Sequence, residues 1–163
     1  MIYLSADSHL GHYKLSDPKF TPNPRPDNFT TEILMGLARY AKPENSLIHL
    51  GDILISDKAR RKHLYACLKA SMEGYGHRTL IRGNHDRQGD AFYHSLGFDS
   101  VVSGSLKMGN VILSHQPLVA AQSRNIHGHC HGKSELDKRR YSDISPEVVG
   151  YDPVPLELII ANL

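Results

Sequence analysis

The apolar positions of this chain fall in short runs, and most of the runs stop at a polar cluster able to do chemistry. Residues 2–6 (IYLSA) predict a short buried strand that ends at Asp7. Residues 17–26 carry four prolines and can form neither a helix nor a central strand. Unstructured stretches of this kind inside a domain are usually functional or mobile. Thr30 or Thr31 is placed to cap a helix bearing Ile33, Leu34, Leu37, Ala38 and Ala41, which Pro43 stops. Residues 46–50 (SLIHL) read as a second strand, ending at Gly51-Asp52.

Residues 58–72 have the helical period, with Leu64, Cys67, Leu68 and Met72 on one stripe. A third strand over 79–81 closes at Gly83, and a short helix follows over 91–96. The pattern then shortens. Residues 98–102, 105–108 and 111–114 predict successive strands, with Met108-Gly109-Asn110 as turn chemistry, and 124–126 a further strand entering Gly128. Residues 133–140 are basic, the segment from there to Pro155 is mostly polar, and 156–163 reads as a helix or an edge strand. Strand–helix alternation followed by bunched strands predicts one α/β domain over residues 1–163, with two packed sheets flanked by helices.

Composition changes this picture little. A chain of 163 residues accommodates one domain with a real core. An apolar fraction of 40% and a charged fraction of 22% are those of an ordinary globular protein. A formal charge of +2 does not by itself point to nucleic acid, although it does not bar it. No apolar run reaches the ~18 residues of a membrane span, and the N-terminus lacks a signal-peptide pattern, so a cytoplasmic protein with no membrane partner is expected. Cys67 and Cys130 form no disulfide framework. Eleven histidines are the anomaly, and histidine is the commonest metal ligand.

Five clusters collect the histidines, aspartates and an asparagine. They are Asp7-Ser8-His9, Gly51-Asp52, Gly83-Asn84-His85-Asp86, the isolated His115, and Gly128-His129-Cys130-His131. In open α/β sheets, ligands bind beyond the carboxyl ends of the strands. Asp7, Asp52 and Asn84 each follow a predicted strand, so they converge on one rim. Residues i and i+2 of extended chain point the same way, pairing Asp7 with His9 and His129 with His131. Gly83 and Gly128 permit backbone angles that other residues resist. Asp-x-His alone is expected about once by chance in this composition, but Gly-His-x-His only about once in twenty such chains, and Gly-Asn-His-Asp about once in several hundred.

The chain resembles the calcineurin-like metallophosphoesterases, and most closely a small bacterial and phage branch opening with Asp-x-His-x-Gly-His. Here that element is Asp7-Ser8-His9-Leu10-Gly11-His12. The similarity continues through Arg25-Pro26, residues 49–52, 80–86, 113–117 and 126–131, and the tail 151–156, and so covers nearly the whole chain. The resemblance implies an αββα sandwich and two divalent ions. One ion would be held by Asp7, His9, Asp52 and His131, the other by Asp52, Asn84, His115 and His129, with Asp52 shared. His85 would stand beside the scissile phosphate as the catalytic acid. The mixed nitrogen and oxygen donors suit Mn²⁺, Fe²⁺, Zn²⁺ or Ni²⁺ over Mg²⁺ or Ca²⁺, with Mn²⁺ the first choice.

The implied activity is hydrolysis of phosphoesters, phosphodiesters before monoesters, by a hydroxide bridging the ions, with a nucleotide among the candidate substrates. A phosphomonoesterase, a small nuclease, or a metal-free scaffold of the same fold are the alternatives. The protein-phosphatase branch places a second aspartate after Gly-Asp, where this chain has Ile55; the carboxylate that would orient His85 is therefore absent, and Asp86 reads as a capping or turn residue. His12, Arg25 and His127 are candidate substrate contacts. His49, His63, His77 and His94 read as structural or exposed, Cys130 as facing away from the ions, and Lys138-Arg139-Arg140 as a solvated face.

Overall fold

The computed structural model of the protein describes residues 1–119 and 123–161. Two mixed sheets stack face to face. In the larger, β1 (Ile2–Ser5), β2 (Ser46–His49), β3 (His77–Ile81) and β4 (Ser100–Val102) run parallel, and β9 (Val154–Pro155) pairs antiparallel with β1, giving the order β4-β3-β2-β1-β9. The smaller sheet has the order β5-β6-β7-β8, from Ser105–Met108, Val111–Ser114, Arg124–His127 and Tyr141–Asp143. Only its β5–β6 pair is antiparallel.

Alternation along the strands builds two cores. Leu4, Ala6, Ile48, Leu50 and Ile81 face Val111, Leu113 and Ile126 between the sheets. Tyr3, Leu47 and Leu80 point the other way, against Ile33 and Leu37 of α1 (Phe29–Arg39) and Leu68 and Met72 of α2 (Lys58–Met72). With α3 (Asp90–Ser95), these helices cover the outer face of the larger sheet. The layer beyond is slight. It consists of α4 (Pro146–Val149) and α5 (Leu156–Ala161), and α5 tucks Leu156, Ile159 and Ile160 against the inter-sheet core.

Helix α2 spans the predicted residues, capped by Asp57, whose side chain accepts from Arg60 N at 3.0 Å. The cap predicted for α1 is different. Asn28 occupies the N-cap position, and the Thr30 hydroxyl instead accepts from Gly11 N at 3.0 Å, tying the helix to the loop after β1. Of the predicted C-terminal segment, Leu156–Ala161 is a helix, and residues 162–163 lie outside the described residues. The polar run before it holds β8, α4 and β9, none of which periodicity predicted. No helix among the described residues is long and apolar enough to cross a membrane.

Register is what places the site. Ser5 pairs with His49 and His49 with Leu80, so the loops leaving β1, β2 and β3 start level. The first two then zip together through Asp7 N to Gly51 O (3.0 Å), His9 N to Asp52 O (2.9 Å) and Leu10 N to Ile53 O (3.0 Å). In the smaller sheet Ser114 pairs with His127, and Gly128 N donates to His115 O at 3.0 Å. The carboxyl ends of both sheets thus meet at one rim.

Candidate metal centre

Asp7, His9 and His131 bring one donor atom each into a group whose members all lie within 4.8 Å of one another, and Asp52, His115 and His129 form a second such group. The two groups touch. Asp52 Oδ2 lies 3.4 Å from His115 Nε2 in its own group and 3.7 Å from His9 Nε2 in the other. Asn84 Oδ1 is 2.9 Å from His115 Nε2, and His129 Nδ1 is 3.2 Å from the same atom. All seven predicted ligands therefore stand at a single focus, Asp52 between the halves. Residue sets able to hold two cations are present.

The donor atoms behave as if aimed at something other than each other. Asp7 is fully buried; its Oδ2 accepts from His129 N at 2.8 Å, while its Oδ1 has no hydrogen-bond partner. That bare oxygen faces His9 Nε2 and His131 Nε2, each at 3.9 Å. A buried carboxylate oxygen without a donor is costly, and a cation removes the cost. Burial pushes the Asp7 carboxyl up to about 6 and the His9 imidazole down to about 2. Burial also opposes charge on Asp52, but the hydrogen bond and charge of His115 and the His85 N–H prevail and hold it near 2. A neutral His9 beside an ionised Asp52 is the state in which both donate lone pairs to a metal.

The backbone is bent to suit. Among the described residues, the non-glycine positions with left-handed φ are Asp7, His9, Asp52, His129 and His131, at +42° to +68°. Each is one of the seven. Such conformations cost roughly 1–3 kcal/mol apiece and persist where surrounding contacts impose them. The glycines serve a purpose different from the one predicted. Gly83 and Gly128 have ordinary φ; they are needed because a Cβ at Gly128 would overlap the Asp7 carboxylate and one at Gly83 the Asp52 carboxylate. Beside the clusters, left-handed glycines are instead Gly11, Gly51 and Gly132, at φ +78°, +88° and +76°.

His85 sits at the open side of the cluster with its side chain 46% exposed, its Nε2 3.9 Å from Asp52 Oδ2 and its backbone N–H bonded to Asp52 Oδ1 at 2.9 Å. Asp86 is a turn residue. Its carboxylate accepts from Asp52 N (2.7 Å), Gly83 N (2.8 Å) and Ile53 N (3.2 Å), locking the β2 and β3 loops together. His12 keeps a buried Nδ1 without a partner, and its ring centre is 5.9 Å from that of His9.

Two predicted substrate contacts, Arg25 and His127, are buried. Arg25 has a fully buried side chain: its guanidinium grips Glu147 through Nε (2.8 Å) and a terminal nitrogen (3.1 Å), and donates to the Ser8 and Asp7 carbonyls at 3.1 and 2.9 Å. It anchors the proline-rich loop beneath the site and leaves no face for a phosphate. His127 is wholly buried, its Nδ1 2.7 Å from Gly128 O, behind the ligand loop instead of in front of it. Burial there follows from its outward position on β7 beneath the 132–149 segment.

Sequence reasoning missed four supporting groups. Glu147 receives His131 Nδ1 at 2.9 Å, and Ser145 Oγ lies 3.1 Å from Asp7 Oδ2 and 2.6 Å from Asp143 Oδ1. His49, assigned only as structural or exposed, is buried: its Nδ1 accepts from Gly51 N (3.1 Å), so its Nε2–H donates to Ser8 Oγ (2.7 Å). Ser145-Pro146-Glu147 has the make-up of a helix start, which could have located α4 but not its partners.

No family model matches the chain. Over 98% of its length it is 27% identical to the uncharacterized protein MJ1445 of Methanocaldococcus jannaschii, 89% of which is covered. Its fold is similar to the crystal structure of AQ665 from Aquifex aeolicus, a protein of unknown function, with a TM-score of 0.73 and 23% identity across 100% of this chain and 99% of that one. It is also similar to the crystal structure of nuclease MPE from Pseudomonas putida, with a TM-score of 0.57 and 28% identity over 80% of this chain and 61% of that one. Two Asp/His groups able to hold ions, in a chain similar to a nuclease, fit a metal-dependent hydrolase.

Proposed function

We propose that the chain is a calcineurin-like metallophosphoesterase, a single domain over residues 1–163 that binds two divalent ions, Mn²⁺ by preference, and hydrolyses phosphodiesters in preference to monoesters. One observation carries the reading: Asp52 Oδ2 lies within 3.7 Å of a histidine from each of two Asp/His groups. A lone structural ion would need one such group. The likeness to a nuclease, itself a phosphodiester-cleaving enzyme by name, supports the choice of diesters.

When bound, a pair of divalent ions neutralises charge on phosphoryl oxygens and lowers the pKa of a water molecule from 15.7 towards ~7. The chain's own groups do the rest. Asp7, His9, Asp52 and His131 hold one ion; Asp52, Asn84, His115 and His129 hold the other. His85, exposed beside Asp52, donates a proton to the departing oxygen or hydrogen-bonds its charge. Its ring stands edge-on to that of His9, centroids 5.6 Å apart, and Ile55 occupies the sequence position where the protein-phosphatase branch has a second aspartate. His12, its ring centre 5.9 Å from that of His9, is the remaining candidate contact for the phosphate.

The test is an activity panel with added Mn²⁺, comparing bis-p-nitrophenyl phosphate, p-nitrophenyl phosphate, cyclic nucleotides and short oligonucleotides, alongside elemental analysis. Diester turnover with two ions per chain is the expected result. Fewer than one tightly held transition metal per chain, and no turnover with Mn²⁺, would return the protein to the scaffold alternative.

A further inference from the structure

His85 is also a wall of a cavity of about 310 Å³, and among the seven ligand residues none lines it. That volume lies at the small end of the range for small-molecule sites. Two partly buried rings, Tyr65 of α2 and Phe92 of α3, line it edge to face with centroids 5.1 Å apart. The Tyr65 hydroxyl has no hydrogen-bond partner among the described residues, and Leu54 and Ile55 supply an apolar floor.

The charge around this cavity is one-sided. Arg61 and Arg87 line it, and each guanidinium makes only a bond to a backbone carbonyl, Ser56 O at 3.0 Å and Asn84 O at 3.3 Å. Among the described residues neither has a carboxylate within 4.0 Å. The one acid in the lining, Asp86, is spent on three backbone N–H groups. An aromatic-walled recess with two uncommitted arginines has the elements that bind a base by stacking and its phosphate by charge.

We propose that this cavity takes a nucleotide unit, its base against Tyr65 and Phe92 and its phosphate between Arg61 and Arg87. The inference rests on the phosphoesterase reading for its orientation: because His85 faces both spaces, the nucleotide in the cavity is the leaving side of a phosphodiester. It follows that the preferred substrate is a diester whose leaving nucleotide carries a further phosphate, as in an oligonucleotide. A simple alkyl or aryl diester fills neither requirement.

Binding tests the cavity without any turnover. Titrated into the full chain with chelator and followed by calorimetry, adenosine 5′-monophosphate should bind at least tenfold tighter than adenosine or ribose 5-phosphate. The Arg61→Glu/Arg87→Glu double variant, altered only at exposed positions, should lose the advantage over adenosine. Tyr65→Leu, which keeps the apolar volume, should lose roughly tenfold against the nucleotide while the affinity for ribose 5-phosphate stays. Equal affinity for the three probes, or a double variant that binds the nucleotide as the parent does, overturns the proposal. Hydrolysis of bis-p-nitrophenyl phosphate by the parent with Mn²⁺ is scored separately. A parent that prefers the nucleotide but cleaves neither that diester nor short oligonucleotides supports the cavity and removes the phosphoesterase reading.

Discussion

His131 Nδ1 and Glu147 Oε1 lie 2.9 Å apart, and the same carboxylate is gripped by the buried Arg25. Burial opposes charge on Glu147, yet the bonds from His131 and Arg25 hold its carboxyl down to about 2. An ionised acceptor at Nδ1 fixes the tautomer in which Nε2 keeps its lone pair, turned to the bare Asp7 Oδ1. Carboxylate–histidine pairs of this kind orient metal ligands and raise their basicity. Glu147→Gln should therefore weaken the ion held through His131 by about 10–100-fold, read by competition with a coloured chelator. Unchanged affinity for both ions would make the pair merely a loop anchor.

Asp52 and Asp7 predict different losses. Asp52→Ala removes the donor common to both halves, so elemental analysis should find neither ion. Asp7→Ala should cost the ion of the Asp7–His9–His131 group first. An Asp52→Ala protein that retained one ion at full occupancy would show that the halves do not share this side chain.

His85→Ala should lower kcat by roughly 10²–10⁴-fold, the usual worth of general acid catalysis, with both ions still present. The loss should be smaller for a p-nitrophenolate leaving group than for an alkyl one, since a good leaving group needs less protonation. An equal loss for both leaving groups points to phosphate binding instead of proton transfer.

His49 gives a prediction about acid. Burial pushes its imidazole down from 6.5 to about 3, so the folded chain keeps it neutral while the unfolded chain protonates it below about pH 6.5. Its contribution is fully present above that pH and is lost as the solution is acidified towards pH 3, with a slope of at most about 1.4 kcal/mol per pH unit. In denaturant unfolding of the metal-free protein, His49→Gln should be the less stable at pH 7.5, with a gap that narrows by pH 5. A gap constant over that interval would mean that His49 does not titrate on unfolding.

What could be read in advance was local. Helix α2 carries Leu64, Leu68 and Met72 at helical spacing, and the five motif clusters sit directly after short apolar runs, so their shared rim followed from strand direction. What escaped was long in range or short in length. Arg25 and Glu147 are 122 positions apart, and nothing in either neighbourhood announces the other. Strand β8 has three residues, α4 four and β9 two, too few to leave a periodic trace. Arg25 was put forward from its place in the proline-rich loop and His127 from standing two residues before His129, and position along the chain does not tell burial.

The left-handed backbone at Asp7, His9, Asp52, His129 and His131 has a bearing on how this chain can change. Glycine would relax the main chain at each of those five places, so drift or engineering towards a hardier apo-protein has an easy route there. Every step along it deletes a donor. Variants selected only for heat resistance should thus collect substitutions at the rim and arrive robust but inert.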